Sequence, residues 1–272
     1  MPKAGLRDED YVAFLDESGT ARLQVVSGVL IPVRWLRPAE HRWRAFIQTE
    51  LGSRSGRTEV KSRELLRGTG VSLHAQRAML AGGHPPLSAK AAGRQFFCRA
   101  LEHIAGIAEV RVLTVALPTR RPVDVYRLWF WMAYAALVEK RKAPRPRLPL
   151  VVIDGEDAAF RSTQDLIAYR FYRQFPRCQP YVAPGSKWFV GGAVLQDSEL
   201  HPFVQMADLA AGAGRLAVSK DTRAGNWYET HLRNHGEKRG RGVDVSAHAL
   251  SLLKRRSRTD ACGSGWPEAI LP

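Results

Sequence analysis

The sequence predicts an α/β fold, a mixed sheet flanked by helices, followed by a polar C-terminal extension. Three observations carry this expectation. Short apolar runs rich in Val, Ile and Leu recur at residues 11–16, 22–31, 109–117, 148–153 and 187–195, bounded by Gly, Pro, Ser or charged clusters as strands are. Longer segments between them repeat their apolar residues at three- and four-residue spacing, as helices do. The order is two strands, then helices, then strand–helix alternation, which places helices on the faces of one sheet.

Each element has its own warrant. Residues 11–16 form a buried strand, Ser18-Gly19-Thr20 supplies a turn, and residues 22–31 return as a hairpin that Pro32 ends. Trp43, Phe46, Ile47 and Leu51 place a helix over 38–51. The basic loop Gly52–Gly56 leads through Glu59 and Lys61 into a short helix at 62–67. Residues 68–92 read as irregular, with Gly82-Gly83-His84-Pro85-Pro86 as the breaker. A helix over 93–105 and a Val-rich strand over 109–117 follow. Pro122 opens a helix carrying Val125, Leu128, Trp129, Met132 and Leu137, and residues 140–147 make a basic, Pro-broken loop. The run at 148–153 ends at Asp154 and a helix continues toward Arg173. A strand over 187–195, Asp197-Ser198 and a helix over 201–217 complete the expected domain, residues 1–218. Residues 219–272 read as a basic extension, partly helical near 246–255.

Composition narrows the function classes. The 272 residues are 45% hydrophobic and 25% charged, enough for a sizeable core, so disorder as the main state is excluded. Lys and Arg number 41 against 26 acids, a formal net charge of +15, and 32 of the 41 are Arg. A charge of that size points to a polyanionic partner, nucleic acid by default, although Arg richness also follows from a high-GC genome. Cys98, Cys178 and Cys262 are far apart and form no C-x-x-C, which argues against a disulfide framework or a thiolate zinc site and fits a cytoplasmic protein. The first ten residues hold no apolar stretch of a secretion signal, and no run is long enough to span a bilayer. P-loops, dinucleotide fingerprints and nucleophile elbows are absent.

Four acids stand where acids are out of character. Asp16 ends the run Tyr11–Leu15 and opens Asp16-Glu17-Ser18-Gly19; Asp154 ends the run at 148–153. Asp208 interrupts the small-residue stretch Gln205–Gly212, and Glu59 sits in Glu59-Val60-Lys61-Ser62. A carboxylate at the tip of a buried strand or inside an Ala-rich helix is costly unless paired. Several gathered together repel, and a divalent cation relieves the repulsion. Two-metal phosphodiester hydrolysis needs such carboxylates converging from separate elements on two Mg²⁺ or Mn²⁺ ions. The candidate ligands are Asp16, Glu59, Asp154, Asp208 and Asp197, with Glu17 in reserve; Lys61 joins the catalytic candidates. Arg54, Arg57, Lys61, Arg63 and Lys187 are the candidate phosphate contacts.

The motif order, Asp16-Glu-Ser-Gly19 after a strand, Glu59-x-Lys61, an apolar strand ending in Asp154, then Asp197-Ser198 with Gln205-x-Ala-Asp208, resembles the domain of unknown function family 3800 over residues 11–217. The resemblance implies an RNase H-like fold, whose acids lie on the first strand, between, at the end of the fourth strand, and on a late helix. Asp16, Glu59, Asp154 and Asp208 follow that order. The expected sheet opens with three hairpin-linked strands, of which two are evident before residue 38 and residues 109–117 supply the third.

Plainer roles stand beside each residue. Asp16 also suits a hairpin turn, and Asp154 a helix N-cap. Asp208 also suits an ion pair with a buried Arg, and Glu59-x-Lys61 a surface pair. His201, just before the Asp208 helix, is the one histidine near the motifs. The expectation is therefore a cytoplasmic, Mg²⁺- or Mn²⁺-dependent nuclease acting on DNA or RNA. The alternative is a non-catalytic nucleic-acid-binding or regulatory protein of a mobile-element or defence system that keeps the fold.

Overall fold

The computed structural model describes residues 7–20, 23–52, 58–107, 110–117, 125, 126, 129, 133, 150–154, 193–196, 198 and 201–219. Two long strands open the chain, β1 (Tyr11–Gly19) and β2 (Gln24–Pro32), paired antiparallel with Asp16 opposite Ser27. A single 3₁₀ turn, Val33–Trp35, leads into α1 (Leu36–Leu51), and α2 (Ser62–Arg67), α3 (Val71–Ala81) and α4 (Ala89–Gly106) follow. The sheet resumes with β3 (Arg111–Leu117), β4 (Leu150–Asp154) and β5 (Ala193–Gln196), and α5 spans Pro202–Val218.

The five strands lie in the order β3-β2-β1-β4-β5. β1, β2 and β3 are mutually antiparallel neighbours, while β4 runs parallel to β1 and β5 parallel to β4. That mixed order agrees with the RNase H-like arrangement that the resemblance implies. The third hairpin strand is present at the edge, but the chain reaches it only after α1–α4, so a helical block is inserted between the second and third strands.

The alternation of β1 explains how its two faces are covered. Val12 and Phe14, with Val29 and Ile31 of β2 and Val152 of β4, pack into one core with Trp43 and Ile47 of α1, Phe96, Phe97 and Leu101 of α4, and Phe203, Val204 and Ala207 of α5. Phe14 meets Phe203 with ring centroids 4.8 Å apart. Leu15 and Gly28 face the other way, toward Trp129. A Cβ on Gly28 would overlap the Trp129 indole, whose Nε1 donates to the Leu113 carbonyl at 2.8 Å. Glycine is therefore the residue that lets the indole lie flat on the strand.

Most boundaries agree with the sequence reading to within a few residues, and α2 spans the expected 62–67. The expectation of irregular chain over 68–92 is corrected: α3 occupies Val71–Ala81, and α4 begins at Ala89. Val71, Ala75 and Met79 form its buried stripe. That stripe is thin because Ser72 and Ala78 replace larger apolar residues, and the Gly-Pro cluster after it dominates the composition. Of the strand expected over 187–195, residues 193–196 are described; residues 187–192 lie outside, as do the helix expected after Asp154, the basic loop at 140–147 and the extension from 220 onward.

Candidate functional site

Register brings the first two acids together. Leu15 of β1 pairs with Ile153 of β4, so Asp16 and Asp154 are the next residues on neighbouring parallel strands. Asp16 pairs with Ser27, Ser27 with Thr114, and Asp154 with Gln196. One polar row, Thr114-Ser27-Asp16-Asp154-Gln196, thus crosses all five strands, inside β1, β2 and β3 and at the ends of β4 and β5. The Ser27 and Thr114 hydroxyls satisfy each other at 2.6 Å. Paired residues project to one face, which on β1 is the face of Phe14 and α5.

Asp16 is buried, with 8% of its surface exposed, and its Oδ1 accepts the Glu17 backbone N–H at 2.6 Å. Burial pushes its carboxyl well above the usual carboxylate range, and the charges of Asp208, Asp154 and Glu17 push the same way against that one hydrogen bond. Glu17, the next residue, turns to the other face, where burial and the charge of Asp154 raise its pKa while the Tyr126 hydroxyl opposes them. Its Oε2 and the Tyr126 hydroxyl are buried without a hydrogen bond of good geometry.

Asp208 is engaged by a helix start. Among the described contacts its carboxylate accepts twice from Ser62, the backbone N–H at 2.5 Å and Oγ at 2.8 Å. Ser62 is the first residue of α2, whose N-cap residue Lys61 gives no side-chain cap. Asp208 therefore caps α2 from another element, satisfying an N–H that the short helix cannot satisfy itself. Gly212 makes this approach possible, since a Cβ there would lie 2.7 Å from Ser62 Cβ.

Glu59 lies in the loop before α2 and joins a second network. Its Oε1 accepts from Ser198 Oγ at 2.5 Å and pairs with Lys61 Nζ at 3.2 Å. The Ser198 carbonyl accepts from Gln205 Nε2 at 3.0 Å. At the far end of α5, Arg215 Nε donates to Ser18 Oγ at 2.9 Å. The two motifs flanking the acids, Asp-Glu-Ser-Gly and Ser198 to Asp208, are thereby fastened to α5 and the Glu59 loop. Glu59-x-Lys61 is an ion pair on a loop rather than on a helix surface.

The structure thus sets the charges of Asp154 and of Asp208 each on Asp16, and ties Glu59 to Ser198 and Ser62, next to Lys61, to Asp208. Arg63 is exposed on α2, and Asp197, Arg54, Arg57 and Lys187 lie outside the described residues. The His201 ring meets Phe14 at a tilt, with centroids 4.9 Å apart, and burial lowers its pKa. Among the described residues, no three His, Cys, Asp or Glu side chains are gathered into a metal-binding group. The donor chemistry nonetheless suits Mg²⁺ or Mn²⁺: all the acids offer hard carboxylate oxygens, and the buried Asp16 carries the repulsion such an ion relieves. Sequence reasoning missed Ser62, Gln205 and Arg215 as the residues that hold the acids. Gln205 stood inside a quoted motif, and Ser62 directly followed Lys61.

The fold and site define a mixed α/β protein whose sheet sets two carboxylates side by side, Asp16 within β1 and Asp154 at the end of β4. No family model and no curated protein matches the chain. Among solved structures it is similar to a chain of the PCNA:RNase HII complex from Archaeoglobus fulgidus, at 12% identity over 91% of this chain and 89% of that one, with a TM-score of 0.33. No helix among the described residues is long and apolar enough to cross a membrane.

Proposed function

We propose that the chain is a nuclease that hydrolyses phosphodiester bonds with bound Mg²⁺ or Mn²⁺. The observation that supports this best is the repelled, buried Asp16 beside Asp154 and facing Asp208, in a protein of net charge +15. Crowded carboxylates with pKa values shifted by burial and like charge gather at functional sites. Asp16 and Asp154 would hold the ions. Asp208 would join them by turning an oxygen away from Ser62, with Glu59 or Asp197 completing the set. The bound ions would supply an activated water and charge neutralisation at the scissile phosphate.

The chain's own residues do the remainder. Lys61, held by Glu59, places a cation next to the carboxylates, where it neutralises and orients a phosphate oxygen. Ser198 and Gln205 fix Glu59 so that Lys61 keeps that place. Arg54, Arg57, Arg63 and Lys187 would contact the flanking phosphates. This reading keeps the resemblance to family 3800, a cytoplasmic setting, a catalytic domain over 1–218 and a basic extension over 219–272 as parts of the proposal.

One specific observation favours a second reading. The described carboxylate contacts of Asp208 cap α2, a structural use that a non-catalytic nucleic-acid-binding protein would retain. Cleavage of labelled DNA, RNA and hybrid substrates with Mn²⁺, Mg²⁺ or EDTA, wild type beside Asp154→Asn, separates the two. Metal-dependent cutting lost in the variant supports the nuclease. Salt-sensitive binding without cutting moves the assignment to the binding protein.

A further inference from the structure

The later part of the helical block between β2 and β3 carries an excess of cations. From Ser62 to Gly106, α2 to α4, the sequence holds two acids, Glu64 and Glu102, against Arg63, Arg67, Arg77, Lys90, Arg94 and Arg99. Glu102 lies in the last turns of α4, and Glu64 is turned away from the surface charge: its Oε2 accepts the Val71 N–H at 3.1 Å and lies against Gly70, at the start of α3. Arg99 is likewise engaged, with Glu50 at 2.8 Å.

Of the remaining five cations, Arg77 stands apart on α3, and the other four adjoin through the contact of α2 with α4. Arg63 and Arg67 are exposed and stand four residues apart, on one face of α2. The helix ends at Gly68, whose backbone presses on the Lys90 backbone at the start of α4: a Cβ on Gly68 would meet Lys90 N at 2.8 Å. Lys90 is exposed, and Arg94 follows it one turn on, half-buried with its Nε lacking a hydrogen-bond partner. Among the described residues none of these four forms an ion pair. Side chains on one helical face repeat at about 6 Å for a four-residue step of 1.5 Å per residue, a spacing on the scale of successive phosphates in an extended strand. The line begins at the carboxylate group, because Ser62, next to Arg63, is bonded to Asp208.

We propose that Arg63, Arg67, Lys90 and Arg94 form a track that seats the phosphate backbone of a nucleic-acid strand and leads it to the carboxylate group; this rests on the nuclease reading above. The track contacts phosphate and not base edges, so it contributes affinity without sequence preference. It also gives the inserted helices a role in substrate binding.

The test is fluorescence anisotropy of labelled DNA and RNA oligonucleotides, single- and double-stranded, in EDTA over a salt series with the full chain. Arg67→Ala with Lys90→Ala is compared with Arg34→Ala with Arg37→Ala, an equal charge change on the exposed start of α1 and the turn before it. The expected result is a log–log salt slope smaller by about 1.5–2 for the track variant, with weaker binding to every sequence and an unchanged melting temperature. The control should move the slope by less than half as much. Equal effects of the two variants overturn the track and leave only diffuse charge. A track variant that binds as wild type overturns it as well, and if wild type still cleaves, the nuclease reading stands alone. A wild-type chain that neither binds nor cleaves overturns both.

Discussion

Replacing Asp16 by Asn should stabilise the protein without divalent cations while abolishing cleavage, and the magnitude follows from the register. Asp16 and Asp154 follow the Leu15–Ile153 pair on adjacent strands, whose axes lie about 4.8 Å apart. Two full charges near 5–6 Å repel by about 3 kcal/mol at an effective dielectric of 20. Asp154 is half-buried, and solvent screening reduces that to about 1–2 kcal/mol. Asn removes the charge at Asp16 yet keeps an oxygen to accept the Glu17 N–H, which now stands at 2.6 Å. The net gain should be about 1–2 kcal/mol, a rise in melting temperature of roughly 2–6 °C.

The pH dependence has a definite sign. The folded-state pKa of Asp16 is raised above its unfolded value near 3.8. The stability it contributes is fully present below that value and lost as pH rises through the folded pKa. Asp16→Asn should therefore gain most at neutral pH and little in acid. Mg²⁺ or Mn²⁺ should reverse the ranking, since the cation stabilises only the chain that still carries the carboxylate. Differential scanning calorimetry at two pH values, with EDTA or Mn²⁺, measures all of this. A lower melting temperature for Asp16→Asn in EDTA would refute the reasoning, because it would mean the Asp16 carboxylate is a net stabilising group.

Further outcomes follow from the same contacts. Ser62→Ala removes the Oγ donor to Asp208 but not the N–H, and should cost about 1 kcal/mol in denaturant unfolding with the m-value unchanged. Gly212→Ala places a methyl 2.7 Å from Ser62 Cβ and should lose about 1–3 kcal/mol and cleavage together, because α5 must retreat from α2. Glu59→Gln keeps an acceptor for Ser198 and loses the partly exposed pair with Lys61. It should change stability by under about 1 kcal/mol while lowering kcat in steady-state assays. His103 and His201 both have pKa values lowered by burial. Their contribution is present above the unfolded value near 6.5 and lost as pH falls through the lower folded value, so His103→Gln should flatten the acid side of the thermal stability profile.

The sheet was legible because its strands are apolar runs interrupted or ended by a polar residue at the same register. Asp16 and Asp154 could be picked as neighbours since each terminates such a run. Ser27 carried the same signal, a hydroxyl within Val25-Val-Ser-Gly-Val29, but its meaning depends on pairing with Asp16, which no local pattern states. The use of Asp208 was not legible at all. A carboxylate in a small-residue helix says that something polar approaches closely; that the partner is the uncapped start of α2 is a fact of tertiary placement. α3 was hidden for a different reason: its buried stripe of Val71, Ala75 and Met79 is small beside the Gly-Pro cluster that follows it.

The inserted helices change what the site depends on. The sheet alone brings Asp16 and Asp154 together, both fixed by backbone pairing. Glu59, Lys61 and Ser62 arrive from the block between β2 and β3, and side-chain bonds to Ser198 and Asp208 tie them in. Among the described contacts those bonds act where the start of α2 and the Glu59 loop meet α5 and Ser198, so this half of the site rests on side chains where the first rests on backbone pairing. A cation drawing Asp208 away from Ser62 would release the start of α2 as it completes the carboxylate set. Metal binding and the position of Lys61 would then be coupled through one side chain. Amide exchange should report this directly: the Ser62 N–H, bonded to Asp208 at 2.5 Å, should lose protection on addition of Mn²⁺ while the β1–β4 amides keep theirs. Unchanged protection at Ser62 in the metal-loaded protein would mean that Asp208 keeps its cap, leaving cation binding to the strand-tip acids.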